Sequence, residues 1–165
     1  MAVRTAWELA ATVADPELPM LTLADLGILR AVTEDGRRVT VTITPTYSGC
    51  PAMTEISRDL QRRLERAGYT DISVRTELSP PWSSDWITVD GRRKLAQAGI
   101  APPNAARHRG EGPIPLALTA RPRVVGCPRC GSTDARELAA FSATACKALY
   151  RCGACAEPFE YVKDI

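Results

Sequence analysis

The feature that most narrows what this chain can fold into lies near its end. Cys127-Pro128-Arg129-Cys130-Gly131 and Cys152-Gly153-Ala154-Cys155 form two Cys-x-x-Cys knuckles separated by 21 residues. Each knuckle lets two thiolates reach one ion, and four thiolates complete a closed tetrahedral site. The separation is slightly wider than the ~15–20 residues common in such sites, a departure that a longer hairpin absorbs. A segment of roughly 40 residues cannot stabilise itself by burial alone, so metal ligation is the expected remedy. The pattern predicts a small β-rich zinc ribbon over 123–165, with structural zinc on Cys127, Cys130, Cys152 and Cys155 preferred to an iron–sulfur cluster.

Ahead of the ribbon, residues 100–122 contain five prolines, Pro102, Pro103, Pro113, Pro115 and Pro122, with no sustained periodicity, and read as a linker. The single histidine, His108, falls inside it and is not expected to act as ligand or catalyst. Residues 1–99 read differently. Val39, Val41 and Ile43 alternate with polar neighbours as in a half-buried strand. Met53, Ile56, Leu60, Leu64 and Ala67 then recur at helical spacing, with Gly68 as the stop. A short helix is expected within 2–14, ended by Asp15-Pro16, and a hairpin at Glu34-Asp35-Gly36-Arg37. A third strand follows over Ile72–Leu78. The fold class is therefore α+β: a small mixed sheet with flanking helices over 1–99, then the linker, then the ribbon.

Between the best strand and the best helix stands Thr44-Pro45-Thr46-Tyr47-Ser48-Gly49-Cys50-Pro51. Pro51 suits a first helical turn and Gly49 eases the bend, so Cys50 sits at a helix N-terminus, exposed at a rim of the sheet. Two readings stay open: a small hydrophobe closing a tight turn, or a thiol drawn toward thiolate by the peptide dipoles. Asp15 and Glu17, in a proline-stiffened loop, either position a partner or ligand or are solvated. Trp82 and Trp86 are either core residues or an aromatic docking face. Arg92, Arg93 and Lys94 read as a solvated basic face of a helix over Gly91–Ala98. Cys146 belongs to neither knuckle and is either a buried thiol or an auxiliary, reactive one near Lys147.

Charge excludes more than it assigns. The 21 basic and 19 acidic residues nearly cancel, which argues against nucleic acid or an anionic membrane as partner. No apolar run approaches the ~20 residues of a membrane span, and Glu8 interrupts the only signal-like stretch, so a cytoplasmic location with reduced thiols is expected. No Glu-x-x-His pair for a di-iron site, no Gly-x-Gly-x-x-Gly loop and no phosphate loop is present. No catalytic residue is therefore assigned.

Several motifs in one order carry a resemblance. Asp15-Pro16-Glu17-Leu18-Pro19, Asp25-Leu26-Gly27, the Thr44–Pro51 run and Leu78-Ser79-Pro80-Pro81-Trp82 closely resemble the PaaD (PaaJ) family, as does the run Ser142–Tyr150, with Ala143 where serine or a similar residue is expected. Members are small accessory proteins of bacterial phenylacetyl-CoA epoxidase systems. Their N-terminal part is similar to the iron–sulfur assembly family typified by SufT, and their C-terminal part to a zinc ribbon. The resemblance implies a role in phenylacetate catabolism, with oxygenase and reductase components as partners. It implies a maturation factor for iron or a transient iron–sulfur cluster, with Cys50 as transient ligand and Cys146 as auxiliary thiol. A structural or regulatory subunit, or a small redox carrier with a cluster on the four C-terminal cysteines, are the alternatives. A homodimer is left open.

Overall fold

Val39, Val41 and Ile43 are fully buried on alternate positions, and the first half of the molecule assembles on that row. The computed structural model describes residues 4–47, 49–104 and 123–165; His108 and most of the expected linker lie outside the described residues. Strand β1 (Leu29–Asp35) pairs antiparallel with β2 (Arg38–Ile43) across the two-residue loop Gly36-Arg37, and β2 pairs parallel with β3 (Asp71–Thr76). The expected mixed sheet is thus three-stranded, in the order β1-β2-β3.

Helix α2 (Ala52–Arg66) supplies the β2-to-β3 crossover and buries Ala52, Ile56, Leu60 and Leu64 in the same core as the β2 row. Helix α1 is shorter than expected, Ala6–Ala11. Thr5 and Glu8 form a reciprocal capping box that fixes its start, and Ala6 and Ala10 face the core. Between α1 and β1 the chain folds tightly on itself. Asp15 Oδ1 accepts from the backbone N–H groups of Glu17 (2.9 Å) and Leu18 (2.8 Å), so this acid is spent on holding its own loop.

After β3 come a 3-10 turn (Ser84–Trp86), helix α3 (Val89–Gln97, capped by Thr88) and a two-residue strand β4, Ile100–Ala101. Of the basic residues of α3 only Arg93 is solvated as expected. Lys94 Nζ donates to Asp25 (2.7 Å), and Arg92 donates to the carbonyls of Pro103 and Ser84. Nor does the linker begin at residue 100, because β4 pairs parallel with the last strand of the second sheet.

That second sheet has the order β4-β7-β6-β5, with β5 at Ala135–Ala139, β6 at Lys147–Cys152 and β7 at Pro158–Val162. Its small core stacks Tyr150 on Phe159 at 6.0 Å and sets Tyr161 edge-on to Tyr150 at 5.6 Å. The two halves are tied together beyond β4. Val162 belongs to the first core, and the carbonyl of Ile165 accepts from the Ser84 N–H at 3.2 Å. Among the described residues no helix is long and apolar enough to cross a membrane.

Candidate metal centre and thiol pocket

The two knuckles converge. The sulfurs of Cys127, Cys130, Cys152 and Cys155 all lie within 4.8 Å of one another, with Cys127 to Cys155 at 3.8 Å and Cys130 to Cys152 at 3.5 Å. A tetrahedron of sulfurs with bonds of ~2.3 Å to one ion has edges of about 3.8 Å. The spacing fits a single thiolate-bound ion, whereas an iron–sulfur cluster spreads its ligands over several irons. Cys127 and Cys152 are buried while Cys130 and Cys155 are exposed, so the site closes at the edge of the small aromatic core. The Cys155 N–H points at Cys152 Sγ (3.5 Å) and helps orient that ligand.

A second constellation forms where the halves meet. Cys50, at the turn from β2 into α2, and Cys146, in the loop before β6, line one pocket together with Asp15 and Glu17. Trp82, Val162 and Ile165 complete much of its apolar wall. Cys146 Sγ lies 4.0 Å from Glu17 Oε2, although the two residues are far apart in sequence. Its position is set by the ribbon sheet, since the Lys163 N–H donates to the Cys146 carbonyl at 3.0 Å. The pocket is small, with ≈ 20 Å³ open to the centre of a water-sized sphere.

The electrostatics of this pocket reverse the expectation drawn from the helix terminus. Burial pushes the Cys50 thiol up, the Ala52 N–H pulls it down, and the nearby Glu17, Asp15 and Cys146 push it up again, leaving a net rise. Cys146 is also raised, chiefly by burial, with the Thr144 hydroxyl opposing and Glu17 adding to the rise. Glu17 and Asp15 are raised as well, each mainly by burial. Burial is the leading cause at all four groups, and for Glu17, Cys50 and Cys146 a neighbouring acid adds to the rise. Cys50 is half-buried rather than exposed at a rim. Gly49 has ordinary backbone geometry, and a Cβ there would meet only the Tyr47 ring at 3.8 Å, so the bend does not require a glycine.

The tryptophans divide. Trp82 is buried and donates its indole N–H to the Leu26 carbonyl at 2.9 Å, so it offers no exposed docking face. Trp86 is partly buried beneath the Arg30 guanidinium, 3.6 Å from the ring centroid. Lys147 does not face Cys146 as a free cation: it is buried and paired with Glu160 at 2.8 Å. The convergence of Cys50 and Cys146 was beyond sequence reasoning. Its one signal was that each thiol stood outside the ligand pattern of the knuckles.

Comparison with known proteins gives a consistent picture. A family model described as "PaaD zinc beta ribbon domain" matches residues 112–163, and one described as "Iron-sulfur cluster assembly protein" matches residues 5–75. The chain is 42% identical over 163 residues to an Escherichia coli (strain K12) protein described as a putative subunit of 1,2-phenylacetyl-CoA epoxidase, covering 99% of this chain and 93% of that protein. It is 33% identical over 87 residues to "Fe-S protein maturation auxiliary factor" of Porphyromonas gingivalis (strain ATCC BAA-308 / W83), covering 51% of this chain and 81% of that one. Among solved structures, a domain of unknown function, DUF59, from Bacillus anthracis matches with TM-score 0.51 and 28% identity, covering 55% of this chain and 87% of its own.

Proposed function

Because the chain belongs to the PaaD family of phenylacetyl-CoA epoxidase proteins, we propose that it is an accessory protein of that system which matures a metal centre in the other components. Its similarity to a maturation auxiliary factor supports the assembly role. The observation that carries the reading is the placement of Cys50: a half-buried thiol at a strand-to-helix turn of the assembly-type half, beside two acids and outside the closed four-cysteine site. A thiol so placed is accessible to a cargo ion yet takes no part in holding the ribbon together.

In this reading the chain's own residues divide the work. Cys127, Cys130, Cys152 and Cys155 hold structural zinc, which neutralises the thiolates and fixes β5, β6 and β7 without entering the delivery chemistry. Cys50 binds the cargo iron and releases it to a component with more thiolate or carboxylate donors. Neither task requires oxygen activation. The partners are the oxygenase and reductase components, and the location is the cytoplasm.

A second reading rests on the description of the Escherichia coli relative as a subunit, which favours permanent membership of the complex. The two differ in timing, since a maturation factor acts before turnover and a permanent member during it. The test is to produce the remaining epoxidase components in cells lacking this protein and to measure their iron and cluster content. Components that are iron-poor, and active after chemical reconstitution without this protein, support maturation. Fully metallated components that stay inactive until the protein is added back overturn it in favour of permanent membership.

A further inference from the structure

We propose that the cargo site is composite: Cys50 of the assembly-type half, Cys146 of the ribbon and the Glu17 carboxylate together hold one ferrous ion in the junction pocket. This deepens the maturation reading and rests on it for the identity of the ion as cargo. Cys50 and Cys146 come from segments 96 residues apart and are brought to one cavity by the docking of β7 against β4 and of Ile165 against Ser84. Two thiols and a carboxylate are a mixed soft and hard donor set suited to a divalent first-row ion, and iron lies within that range.

The surroundings favour a cation that can leave. Among the described residues, the four ribbon cysteines are the only group of three or more such side chains whose donor atoms all lie within 4.8 Å. The junction donors are therefore more widely spaced than the four ribbon sulfurs, and side-chain rotation must bring them onto one ion. Asp15 adds negative charge nearby, while its Oδ1 is spent on the backbone of its own loop. Two cations stand by the pocket, Lys147, whose charge reaches Cys146, Glu17 and Asp15, and Lys163, which lines it, and each also holds a partner of its own. Lys147 is paired with Glu160, and Lys163 donates to the Ala145 carbonyl at 2.8 Å while lying over the Phe141 ring. Burial first, and the neighbouring carboxylates second, keep the thiols protonated, and a divalent ion bound between them compensates the charge their deprotonation creates. On binding, each thiol gives its S–H proton to solvent and forms an S–Fe bond, and the iron remains ferrous throughout. Handover reverses the step, with the recipient's ligands replacing the two thiolates.

The experiment uses the full chain with its ribbon loaded with zinc, titrated anaerobically with Fe²⁺ alone and, for an optical readout, with Co²⁺, whose thiolate bonds absorb strongly. The expected result is one equivalent bound beyond the zinc, removable by a ferrous chelator that leaves the zinc in place. Cys50→Ser and Cys146→Ser should each weaken this second equivalent by at least 10-fold and reduce the cobalt–thiolate absorption, with zinc content unchanged. Glu17→Gln, which leaves both thiols intact, should weaken binding while retaining that absorption, and so covers the case of a cysteine variant that folds poorly. A wild-type chain that takes up only zinc, or a folded Cys146→Ser chain that binds the second ion as wild type does, overturns the composite site. Binding is measured on the isolated chain, so its failure is distinct from that of the maturation reading, which is decided by the iron content of the epoxidase components.

Discussion

Replacing Gly27 with alanine should destabilise the protein far more than replacing Gly36 with alanine, although both glycines have positive φ, +68° and +59°. An L-residue in that region costs about 1–2 kcal/mol, a cost common to both sites. At Gly36 it is the whole effect, because nothing lies within 4 Å of an added Cβ. At Gly27 the Cβ would stand 2.5 Å from Trp86 Cβ and 2.8 Å from the Trp86 carbonyl oxygen, so backbone must move. Overpacking of this kind costs about 1–3 kcal/mol more. With a urea slope of ~2 kcal/mol/M, the two midpoints should differ by ~0.5–1.5 M in zinc-replete buffer. Tryptophan fluorescence is the assay, since Trp86 forms the contact and Trp82 bonds to the adjacent Leu26 carbonyl. Midpoints that agree within ~0.2 M would refute the claim that close packing, and not φ alone, demands glycine at 27. The same substitution should speed alkylation of Cys50, because Trp82 walls the thiol pocket.

Cys50 itself should react with iodoacetamide at pH 7 more slowly than an exposed thiol and accelerate at higher pH than a free thiol does, since its pKa is raised, chiefly by burial; peptide mass mapping of zinc-loaded protein follows the rate, and fast labelling at pH 7 contradicts the burial argument. Asp25 is raised by burial but lowered more by hydrogen bonds from Lys94 and Thr22, for a net depression. A depressed carboxylate adds stability above its unfolded value that is lost as pH falls through the folded one, so the gap between wild type and Asp25→Asn in denaturant titrations should narrow below about pH 4. Removing zinc with a chelator, or making Cys127→Ser, should abolish hydrogen-exchange protection across β5, β6 and β7 while leaving β2 and α2 protected, because the ribbon's own core is small.

The row Val39, Val41, Ile43 and the face Ile56, Leu60, Leu64 were legible because local periodicity and long-range burial agree there. The four-cysteine cluster was legible for another reason: a knuckle is a local device whose geometry depends little on the rest of the fold. What failed to show were partners distant in sequence. Lys94 read as solvated because its carboxylate, Asp25, lies 69 residues away. Ile100–Ala101 read as linker because two residues carry no period, and their partners in β7 lie far along the chain. The two readings of Cys50 could not be weighed against each other for the same reason. The sequence displays the helix that lowers its pKa but not the burial, Glu17, Asp15 and Cys146 that raise it.

These distant contacts join the two halves. β7 is at once a ribbon strand, the partner of β4, the source of Val162 in the first core and, through Lys163, the anchor of the Cys146 carbonyl. A metal ion on the four cysteines would fix β6 at Cys152, and β6 pairs with β7 along its length, from Lys147 against Val162 to Arg151 against Pro158. Metal in the ribbon would thereby set where Cys146 stands relative to Cys50, although none of the four ribbon cysteines lines the thiol pocket. A free assembly-type domain would present Cys50 without its second thiol. Joining that domain to a metal-stiffened ribbon supplies the thiol on a support whose position is fixed by ligation and not by the small aromatic core. The fusion of the two halves is thus understandable as a way of building one pocket from both.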